Sequence, residues 1–303
     1  MLKDALLFLA RQEGIRSFVS SNPAARRVAR RFVAGEVLDE AMQVVQMLNT
    51  RHISVSLDHL GENVSDAAEA KAAANDYVTM LDRIAAAQAE ANISVKLTAL
   101  GLDIAEDLCR DNLRLVLRRA ADMGVFVRVD MEGSAYTQRT IDLVLELRCE
   151  FDNVGTVIQS MLRRSPKDVE ALIASKTRVR LVKGAYMEPA AIAYPKKSDV
   201  DASYVTLMHE LLERGVYPAI ATHDEQIIAE ARRFTEERDI GRARFEFQML
   251  YGIRRDLQER LAREGYNVRV YIPYGTQWYP YLTRRLAERP ANLLFIASNL
   301  LRR

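Results

Sequence analysis

The chain has 303 residues, 49% of them hydrophobic and 28% charged, with 43 Lys and Arg against 41 Asp and Glu for a net charge of +2. This is the balance of a globular protein with a sizeable core; it excludes a disordered chain and gives no reason to expect nucleic acid as a main partner. The only cysteines, Cys109 and Cys149, are too few for a disulfide framework or a Cys-rich metal site and fit a reducing, cytoplasmic setting.

The start, Met1 to Ala10, is apolar but contains Lys3 and Asp4 and runs into Arg11 without a small-residue cleavage pattern, so no signal peptide is expected. No run is long enough to span a bilayer, which limits any membrane contact to a peripheral one. Arg26, Arg27, Arg30 and Arg31 lie at helical spacing before Gly35; they read as a solvated helix face, with anionic lipid as the alternative. Residues 1–50 are read as an added N-terminal helical segment and residues 51–303 as the main body.

From Ile53 onward short apolar strands alternate with amphipathic helices. The strands are expected at Ile53 to Leu57, Ile93 to Leu97, Val125 to Val129, Val154 to Ile158, Val179 to Val182, Val216 to Ala221, Ala243 to Phe247 and Val268 to Ile272. Ile53, Val55 and Leu57, and Val125, Val127 and Val129, show the period of two that marks a strand. Helices are expected over Asp66 to Ala89, Glu106 to Met123, Tyr136 to Glu150 and Glu225 to Glu237, long enough to serve as crossovers between parallel strands. Eight such units in about 250 residues make an α/β fold, a (β/α)8 TIM-type barrel. The competitor, an open doubly wound sheet, would place a Gly-rich loop after the first strand. The residues there are Asp58, His59, Leu60, Gly61 and Glu62, acidic with a single glycine.

In such a barrel the chemistry sits at the carboxyl ends of the strands. Those ends carry Asp58 and Glu62, Lys96, Asp130, Gln159, Arg180 with Lys183, Thr222 with His223, Gln248, and Tyr271. A single polar strand end usually caps a loop, but eight converging on one mouth point to a site, because buried charge is costly unless it pairs or meets a ligand. The last helix adds Tyr281, Arg284, Arg285 and Glu288 on one face, and two adjacent guanidinium groups suit a small carboxylate. Charge at the mouth therefore leans positive, near Lys96, Arg180, Lys183, Arg284 and Arg285, as an anionic substrate or phosphate-bearing cofactor requires. The four histidines have no metal-ligand spacing and no Gly-x-Ser-x-Gly elbow occurs, so neither a metal nor a serine nucleophile is expected. Lys96 as the Schiff-base lysine of a barrel aldolase stays open on these grounds, as does a non-catalytic protein that binds acidic partners.

Ordered strings along the chain resemble the flavin-dependent proline dehydrogenases. They are Arg31 to Glu36, Leu60 to Glu62, Ser94 to Leu97, Val127 to Gly133, Val179 to Tyr186, Lys197 to Ala202, Ala221 to Asp224, Phe245 to Gly252, Val270 to Gly275 and Tyr281 to Glu288. The likeness covers residues 31–290, and the length is similar to that of the monofunctional bacterial form. It implies a distorted barrel with FAD at its mouth, FMN being the alternative. L-proline would be oxidised to 1-pyrroline-5-carboxylate by hydride transfer to flavin N5, the first step of proline catabolism to glutamate. Electrons would pass to a quinone, with the protein peripheral on the inner face of the membrane.

By the same resemblance Lys96, Arg284 and Arg285 hold the substrate carboxylate while Tyr271 and Tyr281 pack around the ring. Asp130 and Arg180 match catalytic positions, Arg180 lying close to the reactive flavin nitrogen. Met131, Gln159, Lys183, Gly184, Ala185, Thr222 and His223 match flavin-contacting positions, and Glu62 with Arg284 looks like an ion-pair gate over bound substrate. Gln159, Lys183 and the backbone at Gly184 and Ala185 are suitable donors for flavin N1, O2 and N5. One departure is Met187, where many relatives carry Trp; a flexible Met fills similar volume. Oligomeric state is not legible.

Overall fold

The structure is a computed structural model describing residues 29–61 and 64–288, with side chains up to residue 283. Its eight strands are β1 Ser54–His59, β2 Ala91–Val95, β3 Val127–Val129, β4 Val154–Gln159, β5 Arg178–Val182, β6 Ala219–Ala221, β7 Glu246–Leu250 and β8 Val268–Tyr274. They close in chain order into a parallel barrel, β1 pairing with both β2 and β8. The (β/α)8 TIM-type expectation is therefore correct.

The helices are α1 Leu38–Asn49, α2 Ala67–Ala86, α3 Glu106–Asp122, α4 Thr137–Arg148, α5 Ser165–Ala174, α6 Lys197–Arg214, α7 Glu225–Glu237, α8 Arg255–Arg263 and α9 Trp278–Glu288. Each buries one stripe. In α2 it runs through Ala70, Ala74, Tyr77, Met80, Leu81 and Ile84, the three-to-four spacing of a helix on a sheet. Asp66 caps α2 by accepting from the Glu69 amide at 2.9 Å. Helix α1 falls in the segment assigned to residues 1–50, and its Ala41, Met42, Val45 and Leu48 join the same apolar layer as the barrel. Arg26 and Arg27 lie outside the described residues; Arg30 pairs with Glu40 at 2.9 Å.

Four of the expected strands are displaced: β2 lies two residues earlier than expected, β3 starts two residues later, and β6 and β7 start three residues later. Before β6, Tyr217 has φ +45° and Pro218 has no N–H, so the ladder starts only at Ala219. Before β7, Arg242–Arg244 coil into a 3-10 turn, which removes Ala243 and lets the strand run on to Leu250.

The register divides every strand between two environments. Val55, Leu57, Ile93, Val95, Val127 and Val129 face the helices and are fully buried in the main apolar cluster. The alternate positions, paired as Asp58 with Ser94, Ser94 with Arg128, Arg180 with Ala219, and Ala219 with Glu246, point into the barrel. This interior is polar where branched aliphatic layers are usual. A second apolar cluster of Ala29, Phe32, Val33, Leu60, Trp278, Tyr279, Tyr281 and Leu282, with Tyr271 packed against it, gathers α9 and the amino-terminal segment at the carboxyl end of β1 and β8.

Gly155 on β4 shows how tightly the interior is filled. A Cβ there would sit 2.4 Å from the Arg178 carbonyl oxygen and 2.8 Å from the Phe126 ring. The neighbouring strand's backbone cannot shift without disturbing the barrel ladder, so Gly155→Ala should destabilise the fold by about 2–3 kcal/mol through overpacking. Urea denaturation measures this; a midpoint equal to wild type would contradict the packing described.

Candidate active site

The strand ends bring one connected set of ionisable groups together. Lys96, just past β2, donates to Asp58 Oδ1 on β1 at 2.8 Å, and both side chains are buried. Arg180 on β5 lies within the barrel: Nη1 donates to Asp130 Oδ1 at 2.7 Å, Nε to Gln248 at 2.5 Å, and Nη2 to Ser56 and Ser94 at 3.1 Å each. Tyr271 donates its hydroxyl to Asp130 Oδ2 at 2.9 Å and lays its ring 5.2 Å from the Arg180 guanidinium. Asp130 thus fixes a cation and a phenol together.

Burial shifts these groups. Desolvation raises Asp58 above the ordinary carboxylate range, against the opposing pull of Lys96. Burial disfavours the Lys96 ammonium, but the Asp58 and Asp130 charges outweigh that penalty and its pKa lies above the usual lysine value. Burial, then Asp130 and Asp58, raise Tyr271 well above an ordinary phenol. The Asp58 carboxylate 2.8 Å away favours the ammonium form of Lys96, whereas a Schiff base needs the neutral amine, so this geometry gives the aldolase reading of Lys96 no support.

The groups expected around a flavin ring the same mouth. Lys183 follows β5 and pairs with Asp201 at 2.6 Å and Asp224 at 3.0 Å, leaving one ammonium N–H. Burial opposes ionisation of both aspartates, yet the bonds from Lys183, and from Lys197 to Asp201, hold them below their usual pKa. Gln159 donates to the Glu132 carbonyl at 2.9 Å. Thr222 Oγ1 accepts from the Asp224 amide, and His223 Nε2 accepts from the Leu250 amide at 2.9 Å, which puts its proton on Nδ1. Gly184 has φ +112°, and a Cβ there would overlap the Met161 sulfur at 2.4 Å, so the chain passes this point bare. Met131 is buried, Ala185 exposed, and Met187 66% exposed.

Tyr281 is buried in the same small apolar cluster that Tyr271 borders. Arg284 and Arg285 lie on α9 one turn later, with side chains outside the described residues, and Glu62 lies outside them altogether. The expected positive lean is not present in what is described. Lys96, Arg180 and Lys183 are matched by Asp58, Asp130, Asp201 and Asp224. Any surplus of positive charge rests on Arg284 and Arg285.

Ser56, Ser94 and Glu246 received no role from sequence reasoning, although the signal was there. Ser56 and Asp58, Ser94 and Lys96, Arg128 and Asp130, and Glu246 and Gln248 are polar at period two between apolar neighbours. That pattern marks a polar barrel interior. Among the described residues no group of three His, Cys, Asp or Glu is placed to hold a metal ion.

A family model described as proline dehydrogenase matches residues 41–298. The chain belongs to the proline dehydrogenase family. Proline dehydrogenase 1 of Bacillus subtilis is 40% identical over 303 residues, all of this chain and all of the relative, and the match places this chain with the monofunctional type. Proline dehydrogenase of Deinococcus radiodurans is 44% identical over 91% of this chain and 90% of its own. Among solved structures, proline utilization A from Bdellovibrio bacteriovorus, inactivated by N-propargylglycine, superposes with a TM-score of 0.83 at 27% identity. It covers 94% of this chain and 38% of that longer one.

The Lys96–Asp58 pair predicts a specific stability pattern. Removing one member of a buried pair strands the other, at a cost of about 3–5 kcal/mol, whereas removing both with apolar residues of similar size is far less costly. Asp58→Leu and Lys96→Met should each lower stability strongly, and the double variant should regain most of the loss in urea denaturation. Single variants with near wild-type midpoints would show the pair to be weakly coupled.

Proposed function

We propose that the chain oxidises L-proline to 1-pyrroline-5-carboxylate with a bound flavin, FAD, and delivers the electrons to a quinone at a membrane surface. The observation that carries this reading is the buried set Lys96–Asp58 and Tyr271–Asp130–Arg180 at the carboxyl mouth of a closed barrel, in a chain of this family. No described helix is long and apolar enough to cross a membrane, so the quinone would be met from the surface.

The residues present suit a flavin. The bare backbone at Gly184 offers close approach, and the remaining N–H groups of Gln159 and Lys183, the Thr222 hydroxyl and the His223 Nδ1 proton are donors of the right type. Met131 would supply an apolar wall and Ala185 a backbone contact. The flavin would supply a two-electron acceptor for the C5 hydride. Arg180 would lie beneath the reacting atoms, kept in place by Asp130.

Lys96 has two ammonium protons beyond the one given to Asp58, and these would grip the proline carboxylate together with Arg284 and Arg285. Tyr271 and Tyr281 would pack on the pyrrolidine ring and fix which face of C5 is presented, so orientation supplies much of the rate. Loss of hydride from C5 of the neutral amine would leave the protonated imine, and its N–H proton would then pass to water to give the imine. When the amine is the neutral form, no strong base is needed. Asp130 acts as organiser of Tyr271 and Arg180. Glu62 closing on Arg284 would exclude water once substrate is bound.

The test is spectroscopic. The purified protein, incubated with FAD where needed, should be yellow and should bleach anaerobically on L-proline and not on D-proline. A protein that stays colourless after incubation, or a bound flavin unmoved by L-proline, would overturn the reading.

A further inference from the structure

A lysine ammonium sits on a long flexible stem, so meeting a small carboxylate in one direction requires a partner that holds it. Lys96, just past β2, is 8% exposed, and Asp58 on β1 is 1% exposed. Their bond, Nζ to Oδ1 at 2.8 Å, crosses from one strand to the next. The barrel ladder fixes both ends of it. Asp58 is in register with Ser94 on β2 and with Pro273 on β8, and Ser94 stands two residues before Lys96.

The other carboxylate near Lys96 is already engaged. Asp130, from the end of β3, accepts from Arg180 on Oδ1 at 2.7 Å and from the Tyr271 hydroxyl on Oδ2 at 2.9 Å. Lys96 feels that charge at longer range. From α2 the Tyr77 phenol, 1% exposed, faces the pair, and burial keeps it protonated. From β8 the Tyr271 hydroxyl also reaches Asp58. Burial works against the charge of Lys96, and among the groups that oppose it Asp58 comes first, ahead of Asp130 and Tyr77.

Resting on the carboxylate-gripping role given to Lys96 above, we propose that Asp58 is a positioning residue for substrate capture, fixing both the direction and the charge with which Lys96 meets the substrate carboxylate. The bond to Asp58 takes one Nζ proton and, by tetrahedral geometry, sets the directions of the other two. Asp58 itself repels a carboxylate and attracts one only through Lys96. Its removal therefore acts in two ways that pH separates. While the ammonium persists, carboxylate binding is little changed or slightly tighter. Burial is then opposed chiefly by Asp130, so Lys96 loses its proton as pH rises, and carboxylate affinity falls with it.

Cyclopentanecarboxylate is the probe, because it has the ring size and carboxylate of proline without the amine and does not titrate between about pH 7 and pH 9.5. Calorimetric titration into the flavin-loaded full chain, at constant ionic strength, gives its Kd. Over that range the wild-type Kd should change by less than about twofold, while that of Asp58→Asn should rise at least about tenfold toward high pH, the effect of one pH unit beyond a lost proton. Adding Lys96→Met to Asp58→Asn should erase the rise, which assigns it to the lysine. Asp58→Glu keeps the charge on a longer arm and should bind more weakly at every pH without acquiring the rise; it decides the matter if Asp58→Asn does not fold. Purely structural damage would weaken binding or lower flavin content equally at every pH. A flat profile in Asp58→Asn, a rise that persists without Lys96, wild-type affinity in Asp58→Glu, or no binding by the wild type would overturn the proposal. If the expected profiles appear and L-proline still fails to bleach the flavin, the proline reading alone is lost.

Discussion

The structure turns on one guanidinium held inside the barrel. Arg180 is 5% exposed and must be compensated on every side, because a buried cation without partners would cost several kcal/mol. Asp130, Gln248, Ser56 and Ser94 do so, and they come from β1, β2, β7 and the end of β3. Each of those partners is fixed in turn. Asp130 orients Tyr271, and Gln248 donates onward to Glu246, which holds Arg269. A continuous polar column therefore runs from the carboxyl mouth of the barrel toward the amino-terminal ends of its strands.

Stability and function are thus assigned to opposite faces of the same strands. The helix-facing positions are apolar and fully buried, and the hydrophobic layer they share with the helices holds the fold together. The inward positions are polar and gain little net stability, since burial of ion pairs roughly cancels their attraction. Rigid placement is what they offer. A reaction that depends on presenting one carbon of a small ring benefits from groups that cannot move.

The fold was legible because period-two strands and long amphipathic crossovers survive in a single sequence. Strand boundaries were less so where local backbone intervened, at Tyr217 with Pro218 and in the turn at Arg242–Arg244. The residue types at the mouth could be read from strand ends, but their pairings could not. Asp58 and Lys96 are 38 positions apart, and the partners of Lys183 come from α6 and the start of α7. For that reason the carboxylate partners of Lys96, Arg180 and Lys183 become visible only in three dimensions. The nucleophilic reading of Lys96 was open for the same cause; only in three dimensions is there a carboxylate beside it that favours the ammonium form.

The claim at the centre is that Asp130 organises the mouth by holding Arg180 and Tyr271 at once, and Asp130→Asn isolates it, because an amide keeps the volume and loses the charge. Stopped-flow measurement of flavin reduction by L-proline in that variant is the direct test. Reduction should slow by about ten- to a hundredfold, the equivalent of one charge-assisted hydrogen bond, with flavin content unchanged in a variant that is less stable, because Arg180 loses its counter-charge, but still folded at the temperature of the measurement. A rate equal to wild type would mean that the Asp130 carboxylate only fills space beneath the site.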